Sequence, residues 1–290
     1  MKQFMLPAPP DRDGLVRVSG ADFHYLIHVR RLKQGDRFRA VLPGADGEFT
    51  SGDSVLAEVA AVGAGTLTAV IAAPGERRAG DPGIQPPVQP SGALSCGALP
   101  PILLFQALPK GSKMDLIVRQ AAEGALSEVV PFVSERSAIR EKDARRGEGE
   151  KPRRWERIIR EALQQSGSPV FTVLRPVLDW DGLFAYWNEL RAAHPRSLGI
   201  FLHQDPAVSG DTPLAEANLH WYLSNVPGLL ALAVGPEGGF SPGEVSRFAA
   251  EGFKPLKIGN TVLRVETAAL YGAAAARVIL LEHSSWTGNG

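Results

Sequence analysis

The sequence predicts an α/β protein: a larger C-terminal domain built on a mostly parallel sheet, preceded by a small β-barrel. Three observations carry this reading. From residue 102 onward, short apolar runs alternate with segments whose apolar residues recur at helical spacing, as in a sheet covered by helices. Before residue 74, short and partly alternating strands are separated by Gly, Pro and Asp. Between them, residues 74–101 hold seven prolines and five glycines in 28 residues, a composition that builds no packed core and reads as a linker. The expected boundaries are therefore 1–73, 74–101 and 102–290.

In the first piece, strands are expected at Gly14–Val18, Arg37–Leu42, Ser54–Val59 and Thr66–Ile71, with a short helix over Ala21–Arg31. At about 73 residues it is close to the lower size limit for a free-standing core. In the second piece, Ile102–Gln106 is a strand. Met114, Ile117, Val118, Ala121, Ala122 and Ala125 then mark a helix. Glu128–Val133 is the next strand, and Trp155, Ile158, Ile159, Ala162 and Leu163 give a second amphipathic helix. Further strands are expected at Phe171–Leu174, Leu198–Leu202, Leu229–Val234 and Lys254–Ile258. A last helix should start after Thr267, as N-cap, and run to about Glu282. Its Ala268, Ala269, Gly272 and Ala273–Ala276 permit very close backbone approach, which suits either tight packing inside the domain or a subunit interface.

Composition narrows the function. The chain of 290 residues is 44% hydrophobic and 21% charged, as expected of a globular protein. Its formal net charge is zero, so any nucleic-acid binding must come from local patches. The single cysteine, Cys96, excludes internal disulfides and multi-cysteine metal sites. No signal pattern is visible in Met1–Pro7 and no apolar run approaches a membrane span, so a cytoplasmic location is expected.

The densest chemical signal is Gly235-Pro236-Glu237-Gly238-Gly239-Phe240-Ser241-Pro242-Gly243-Glu244. It follows the apolar run 229–234. Three glycines in five residues leave the backbone N–H and C=O groups open to a ligand. Ser241, Pro242 and Glu244 then spell a helix start with a capping box. Strand, bare loop and capped helix together build a ligand site at the carboxyl edge of an α/β sheet. Residues 239–243 also match the hydrolase pattern G-x-S-x-G. That elbow needs the N–H of the residue after the serine, and Pro242 has none. The phosphate-binding patterns G-x-x-x-x-G-K-S/T and G-x-G-x-x-G are absent. Glu237 reads either as a site group or as a loop carboxylate binding backbone amides.

A second segment, Gly259-Asn260-Thr261-Val262-Leu263-Arg264-Val265-Glu266-Thr267, again joins a strand to a helix start and should lie at the same sheet edge. On chemistry alone, Arg264 and Glu266 fit two roles equally, a solvated or interface ion pair and a catalytic pair. His24 and His28, four apart, lack a third ligand and read as ordinary helix histidines, so no metal is expected.

Taken together, Gly235–Phe240 and the later Leu263-Arg264-x-Glu266-Thr267-Ala268 resemble the ribosomal RNA small-subunit uracil-N3 methyltransferases of the SPOUT superfamily. Gln106–Asp115, Glu123, Ser134-Glu135-Arg136-Ser137, Arg154-Trp155, Gln165-Ser166 and Arg31–Asp36 extend the resemblance over most of the chain. The chain departs from the pattern at Gly124-Ala125-Leu126, where the family usually has Leu-Gly-Val, at Thr261 and at Gly167–Pro169. The resemblance implies a PUA-like N-terminal barrel, a trefoil-knotted C-terminal domain, a homodimer, and 16S ribosomal RNA of the small subunit as substrate. It implies S-adenosylmethionine as cofactor, held by Leu202 and His203, by Gly235, Pro236, Glu237, Gly238 and Gly239, and by Ile258, Gly259, Val262, Leu263 and Thr267. It implies catalysis by Arg264 and Glu266, with Arg264 stabilising charge on the uracil and Glu266 orienting Arg264 or accepting the proton. For an RNA substrate, Arg30, Arg31 and Lys33, with Arg37 and Arg39 nearby, and Lys110, Lys113 and Arg136 are the expected backbone contacts. The basic group from Arg140 to Arg160 is diluted by acids and reads as a solvated charged face.

Overall fold

The computed structural model describes residues 3–43, 55–71, 99–137, 150–204 and 218–286. The linker, apart from its last three residues, lies outside the described residues, as do Cys96, Arg140, Arg145 and Arg146. The chain forms two compact units. One comprises Met1–Gln89 with Leu163–Phe171, and the other Pro90–Ala162 with Thr172–Gly290.

In the first unit the expected strands form one five-stranded sheet. They are β2 (Leu15–Ser19), β3 (Arg37–Val41), β4 (Val55–Val62) and β5 (Thr66–Ile71), joined by the short β1 (Phe4–Met5) in the order β1-β3-β4-β5-β2. Every pairing is antiparallel except β1–β3. Strand alternation appears in β2, where Val16 and Val18 are buried between exposed Arg17 and Ser19. Two residues are too few to show alternation, which is why β1 escapes sequence reading. The expected helix divides into α1 (Gly20–His24) and a π-helical turn over Tyr25–Val29 that buries Leu26. The chain then leaves through Arg31 at φ 56°, a left-handed conformation uncommon outside glycine.

In the second unit six strands form one sheet: β6 (Ile102–Ala107), β7 (Glu128–Phe132), β8 (Val173–Leu174), β9 (Ser197–Leu202), β10 (Leu229–Val234) and β11 (Lys254–Leu256). The order is β11-β9-β10-β6-β7-β8, and every pairing is parallel. β6 and β10 are buried at every position, which explains their unbroken apolar sequences. The helices are α2 (Lys113–Glu123), α3 (Glu150–Ser166), α4 (Trp180–Ala193), the single turn α5 (Leu219–Tyr222), α6 (Pro242–Ala250) and α7 (Val265–Trp286).

Four differences from the sequence reading stand out. The strand expected at 171–174 contracts to β8, and the one expected at 254–258 ends at Leu256. Helix α4 was not anticipated, although its signals are present: Asp179 caps Gly182 N–H at 2.7 Å, and Leu183, Phe184 and Trp187 are buried at helical spacing. α7 starts two residues before Thr267 and extends past Glu282. The Arg264 carbonyl accepts the Ala268 N–H at 2.8 Å, so Thr267 lies inside the first turn and is not the N-cap.

The core beneath the sheet is aromatic. Phe105, Phe132, Phe184, Trp187, Phe201, Phe240, Phe248 and Phe253 pack in one buried cluster with edge-to-face and offset contacts. Where α7 crosses the sheet, a Cβ on Gly272 would come within 2.8 Å of Leu232 Cδ2 and 3.3 Å of Leu202 Cδ1. Its small residues therefore serve close packing within the unit. At the start of β7, Glu128 accepts from Arg175 at 2.7 and 3.0 Å and from the Tyr186 hydroxyl. Burial, reinforced by that bond, pushes the Tyr186 phenol well above its usual range.

Helix α2 ends in a Schellman turn. Leu126 N–H donates to Ala121 O at 3.0 Å and Ala125 N–H to Ala122 O at 3.3 Å. That geometry puts the left-handed conformation on Ala125, at φ 56°, while Gly124 sits one residue earlier with an ordinary φ of −77°. The left-handed region costs a non-glycine residue roughly 1–2 kcal/mol, partly offset in a glycine by chain entropy. Ala125→Gly is therefore expected to stabilise the second unit by ~0.5–1 kcal/mol, read from the urea midpoint by tryptophan fluorescence, since all five tryptophans lie in that unit. A lower midpoint would show that the turn carries no such strain.

Candidate functional site

The glycine loop leaves the carboxyl end of β10 and is fixed at both ends. Gly239 N–H donates to Pro236 O at 2.8 Å, and Gly239 takes φ 65°, which a glycine adopts without strain. A Cβ on Gly235 would lie 3.2–3.3 Å from the Gly239 backbone, so the loop folds tightly on itself. Phe240 then enters the aromatic core. Ser241 and Glu244 make the anticipated capping box: Glu244 N–H donates to Ser241 Oγ at 3.2 Å and Ser241 N–H to Glu244 Oε2 at 2.8 Å. Ser241 is a helix cap, buried and engaged, and Pro242 begins the helix.

Three loops from adjacent parallel strands meet at this edge. They follow β9 (Leu202, His203, Gln204), β10 (Val234–Phe240) and β11 (Leu256–Val265), and together with Ala268 they line a cavity of about 890 Å³. Leu202, His203, Gly235, Pro236, Glu237, Gly238, Gly239, Ile258, Gly259, Val262, Leu263 and Arg264 all line it. Glu266 and Thr267, in the first turn of α7, do not, although Val265 and Ala268 of the same turn do. Gln204, Leu256 and Lys257 line it without a motif of their own; Gln204 and Lys257 are chain neighbours of His203 and Ile258, and Leu256 is the last residue of β11.

Lys113 and Arg136 also line the cavity. Their charges are engaged with the glycine loop. Glu237 accepts the Lys110 N–H at 3.0 Å and pairs with the Lys113 ammonium. Glu237 thus binds a backbone amide, as its loop position suggested. Burial pushes its carboxyl up, but the Lys113 hydrogen bond, the backbone N–H groups of Glu237 and Lys110, and the Lys113 charge together outweigh burial and hold it below the ordinary carboxylate range. Arg136 donates from Nη1 to Gly238 O at 2.8 Å and to Phe240 O at 3.3 Å. The neighbouring Glu135 N–H donates to the buried Glu244 Oε1 at 2.9 Å.

Arg264 is exposed at the cavity, and among the described residues it forms no ion pair with Glu266. Glu266 Oε2 is buried without a hydrogen-bond partner among the described residues. In the first unit, Arg31 and Lys33 are exposed, and Arg30 has a buried Nη1 without a partner. Arg37 is paired with Glu58 at 2.8 Å, directly across the β3–β4 ladder. On α3, Arg154 pairs with Asp115 and Arg157 with Glu161. His24 and His28 lie with ring centroids 4.6 Å apart and planes tilted by 35°, and no group of three metal-ligating side chains occurs among the described residues.

Residues 98–277 match the model of an RNA methyltransferase domain, and residues 18–72 that of an RNA methyltransferase PUA domain. A Synechocystis protein named ribosomal RNA small subunit methyltransferase E is 29% identical over 92% of this chain and 74% of its own length. A Mycobacterium tuberculosis protein of the same name is 28% identical, over 95% and 91%. The crystal structure of a Neisseria gonorrhoeae ribosomal RNA small subunit methyltransferase E bound to S-adenosyl methionine superposes with a TM-score of 0.66 at 20% identity, covering 96% of this chain and 98% of that one, a likeness of fold.

Two outcomes are expected from this geometry. Ser241→Ala removes the cap acceptor and should cost the second unit ~1 kcal/mol in urea denaturation. The Glu237 contribution is present in full above the ordinary carboxylate value and is lost as pH falls through its lowered one. Wild type and Glu237→Gln should therefore differ in urea midpoint at neutral pH and converge in acid. A gap that persists unchanged into acid would mean the carboxylate charge is not what holds the loop.

Proposed function

The chain belongs to the RNA methyltransferase family, matched over residues 98–277, and on that premise we propose that it transfers a methyl group to N3 of a uridine in small-subunit 16S ribosomal RNA. The observation that carries this is the convergence of Gly235–Gly239 and Ile258–Arg264 on one cavity. At about 890 Å³ the cavity is of small-molecule size. Its lining fits S-adenosylmethionine: bare backbone at Gly235, Gly238 and Gly239 offers hydrogen bonds, and Leu202, Leu256, Ile258, Val262 and Leu263 offer apolar contact. These residues would hold the cofactor, which supplies an electrophilic sulfonium methyl.

N3 of uracil is a weak acid, protonated at neutral pH, so the chain must take up that proton and steady the resulting charge. Arg264, exposed at the cavity, is assigned to the uracil carbonyl. Among the described residues Glu266 forms no ion pair that would orient Arg264. The proton is assigned to Glu266, two residues from Arg264 and outside the cavity lining, whose Oε2 has no hydrogen-bond partner among the described residues. Positioning in the cavity adds to both, and can contribute up to ~7–11 kcal/mol. Arg30, Arg31, Lys33 and Lys110 are assigned to RNA phosphates. Homodimer formation is assigned to a groove of about 280 Å³ lined mainly by α2 and α7, including Ile117, Ala273 and the exposed Leu270 and Val278. The trefoil knot and the PUA role of residues 1–73 belong to the same reading.

Purified protein incubated with small ribosomal subunits and labelled S-adenosylmethionine should yield N3-methyluridine by mass spectrometry. Label on another nucleoside would keep the methyltransferase and overturn the uracil assignment. Arg264→Ala should lower the single-turnover rate ~100- to 1,000-fold with cofactor affinity kept. Glu266→Gln should lower it with the same affinity kept, and full activity in Glu266→Gln would remove the proton acceptor from this residue.

A further inference from the structure

Arg136 was expected at the RNA because it is a cation in a motif after a strand. The structure gives its guanidinium a different task. Nη1 bridges Gly238 O and Phe240 O, the two carbonyls flanking Gly239, where the loop turns through its left-handed residue. Contact extends along the side chain: a Cβ on Gly238 would meet Arg136 Cβ and Cδ at 3.3 Å. The arginine is anchored in turn. Ser137 Oγ accepts the Ser134 N–H at 3.1 Å, and Glu135 N–H binds the buried carboxylate of Glu244, which closes the capping box just beyond the loop. The segment Ser134–Ser137, rooted at the end of β7, therefore grips both the loop and the helix that follows it.

We propose that Arg136 is a positioning residue: by holding Gly238 O and Phe240 O it fixes the glycine loop in the conformation that receives the cofactor, and it does not contact RNA phosphate. The inference rests on the cofactor reading above. A loop with three glycines has more backbone freedom to lose on ordering than one with side chains at those positions, so an external clamp lowers the cost of binding. Both bonds leave one nitrogen, whose two N–H directions are fixed in the guanidinium plane, whereas a lysine ammonium rotates on a flexible stem.

The test compares Arg136→Lys, Arg136→Ala and Gly238→Ala with wild type. Hydrogen exchange of amides 235–240 in the cofactor-free protein should speed up in both Arg136 variants. S-adenosylmethionine should bind roughly tenfold more weakly to all three by calorimetry, the loss of about one charged hydrogen bond. Affinity for a ribosomal RNA fragment, and its salt dependence, should stay at wild-type values. If Arg136→Ala instead weakens RNA binding and flattens its salt slope while Arg136→Lys restores both, with loop exchange unchanged, Arg136 is a phosphate contact and the proposal fails. If Arg136→Ala does not fold, Arg136→Lys and Gly238→Ala carry the same comparison. A wild type that binds no S-adenosylmethionine would sink the cofactor reading, while the exchange measurement still decides whether Arg136 orders the loop.

Discussion

The site depends on the parallel register of β11, β9 and β10. Parallel pairing aligns Phe201 with Pro255 and Ala233, so the three strands end at one edge and release their chains into the same space. An antiparallel partner among them would send one loop to the far side of the sheet. Parallel neighbours must be buried on both faces, and this is met by β10, every residue of which is buried, and by α7, whose Gly272 lets it close on Leu232. The cavity is thus a consequence of strand direction first and of loop chemistry second.

Loop chemistry then decides what the cavity can hold. Glycine makes the backbone available to a ligand but gives it no reason to stay in one shape. The loops after β6 and β7 compensate from two sides. Lys110 and Lys113 take Glu237, Arg136 takes Gly238 and Phe240, and Phe240 itself is buried among Phe132, Phe201 and Phe248. Two of the cations nearest the site are therefore engaged in shaping it. With zero formal net charge on the chain, any attraction for a polyanion must come from local groups of cations.

Much of this was legible in the residues. Thr66–Ile71 and Leu229–Val234 were read to their observed limits, because one alternates and the other is an unbroken apolar run. The capping box at Ser241 and Glu244 follows from spacing alone, as does the shared sheet edge of the 235 and 259 segments. What escaped did so for physical reasons. The start of α7 was misplaced because Thr267 is a good cap by type, whereas the turn is set three residues earlier by the Arg264 carbonyl. The partners of Lys113 and Arg136 are more than a hundred residues away in sequence, and no local pattern reports a contact at that distance. A basic residue beside a motif has the same appearance whether its partner is a phosphate or a carbonyl of its own chain.

Helix α7 joins the two surfaces on which the functional reading turns. Val265 and Ala268 line the cavity, while Ala269, Leu270 and Ala273 line the apolar groove against α2. Ala268 and Ala269 are consecutive residues, so cavity and groove are two sides of one helical turn. On the inner side, Ala269, Ala273, Ala276 and Leu280 are buried, and Gly272 is held against Leu232; on the outer side, Leu270, Tyr271 and Val278 remain exposed. A helix packed this tightly moves as a body and does not bend to accommodate one face alone. An occupant of the groove and a ligand of the cavity would therefore act on the same rigid element, and the small residues that suited either close packing or a subunit interface are what bring the two surfaces within one turn of each other.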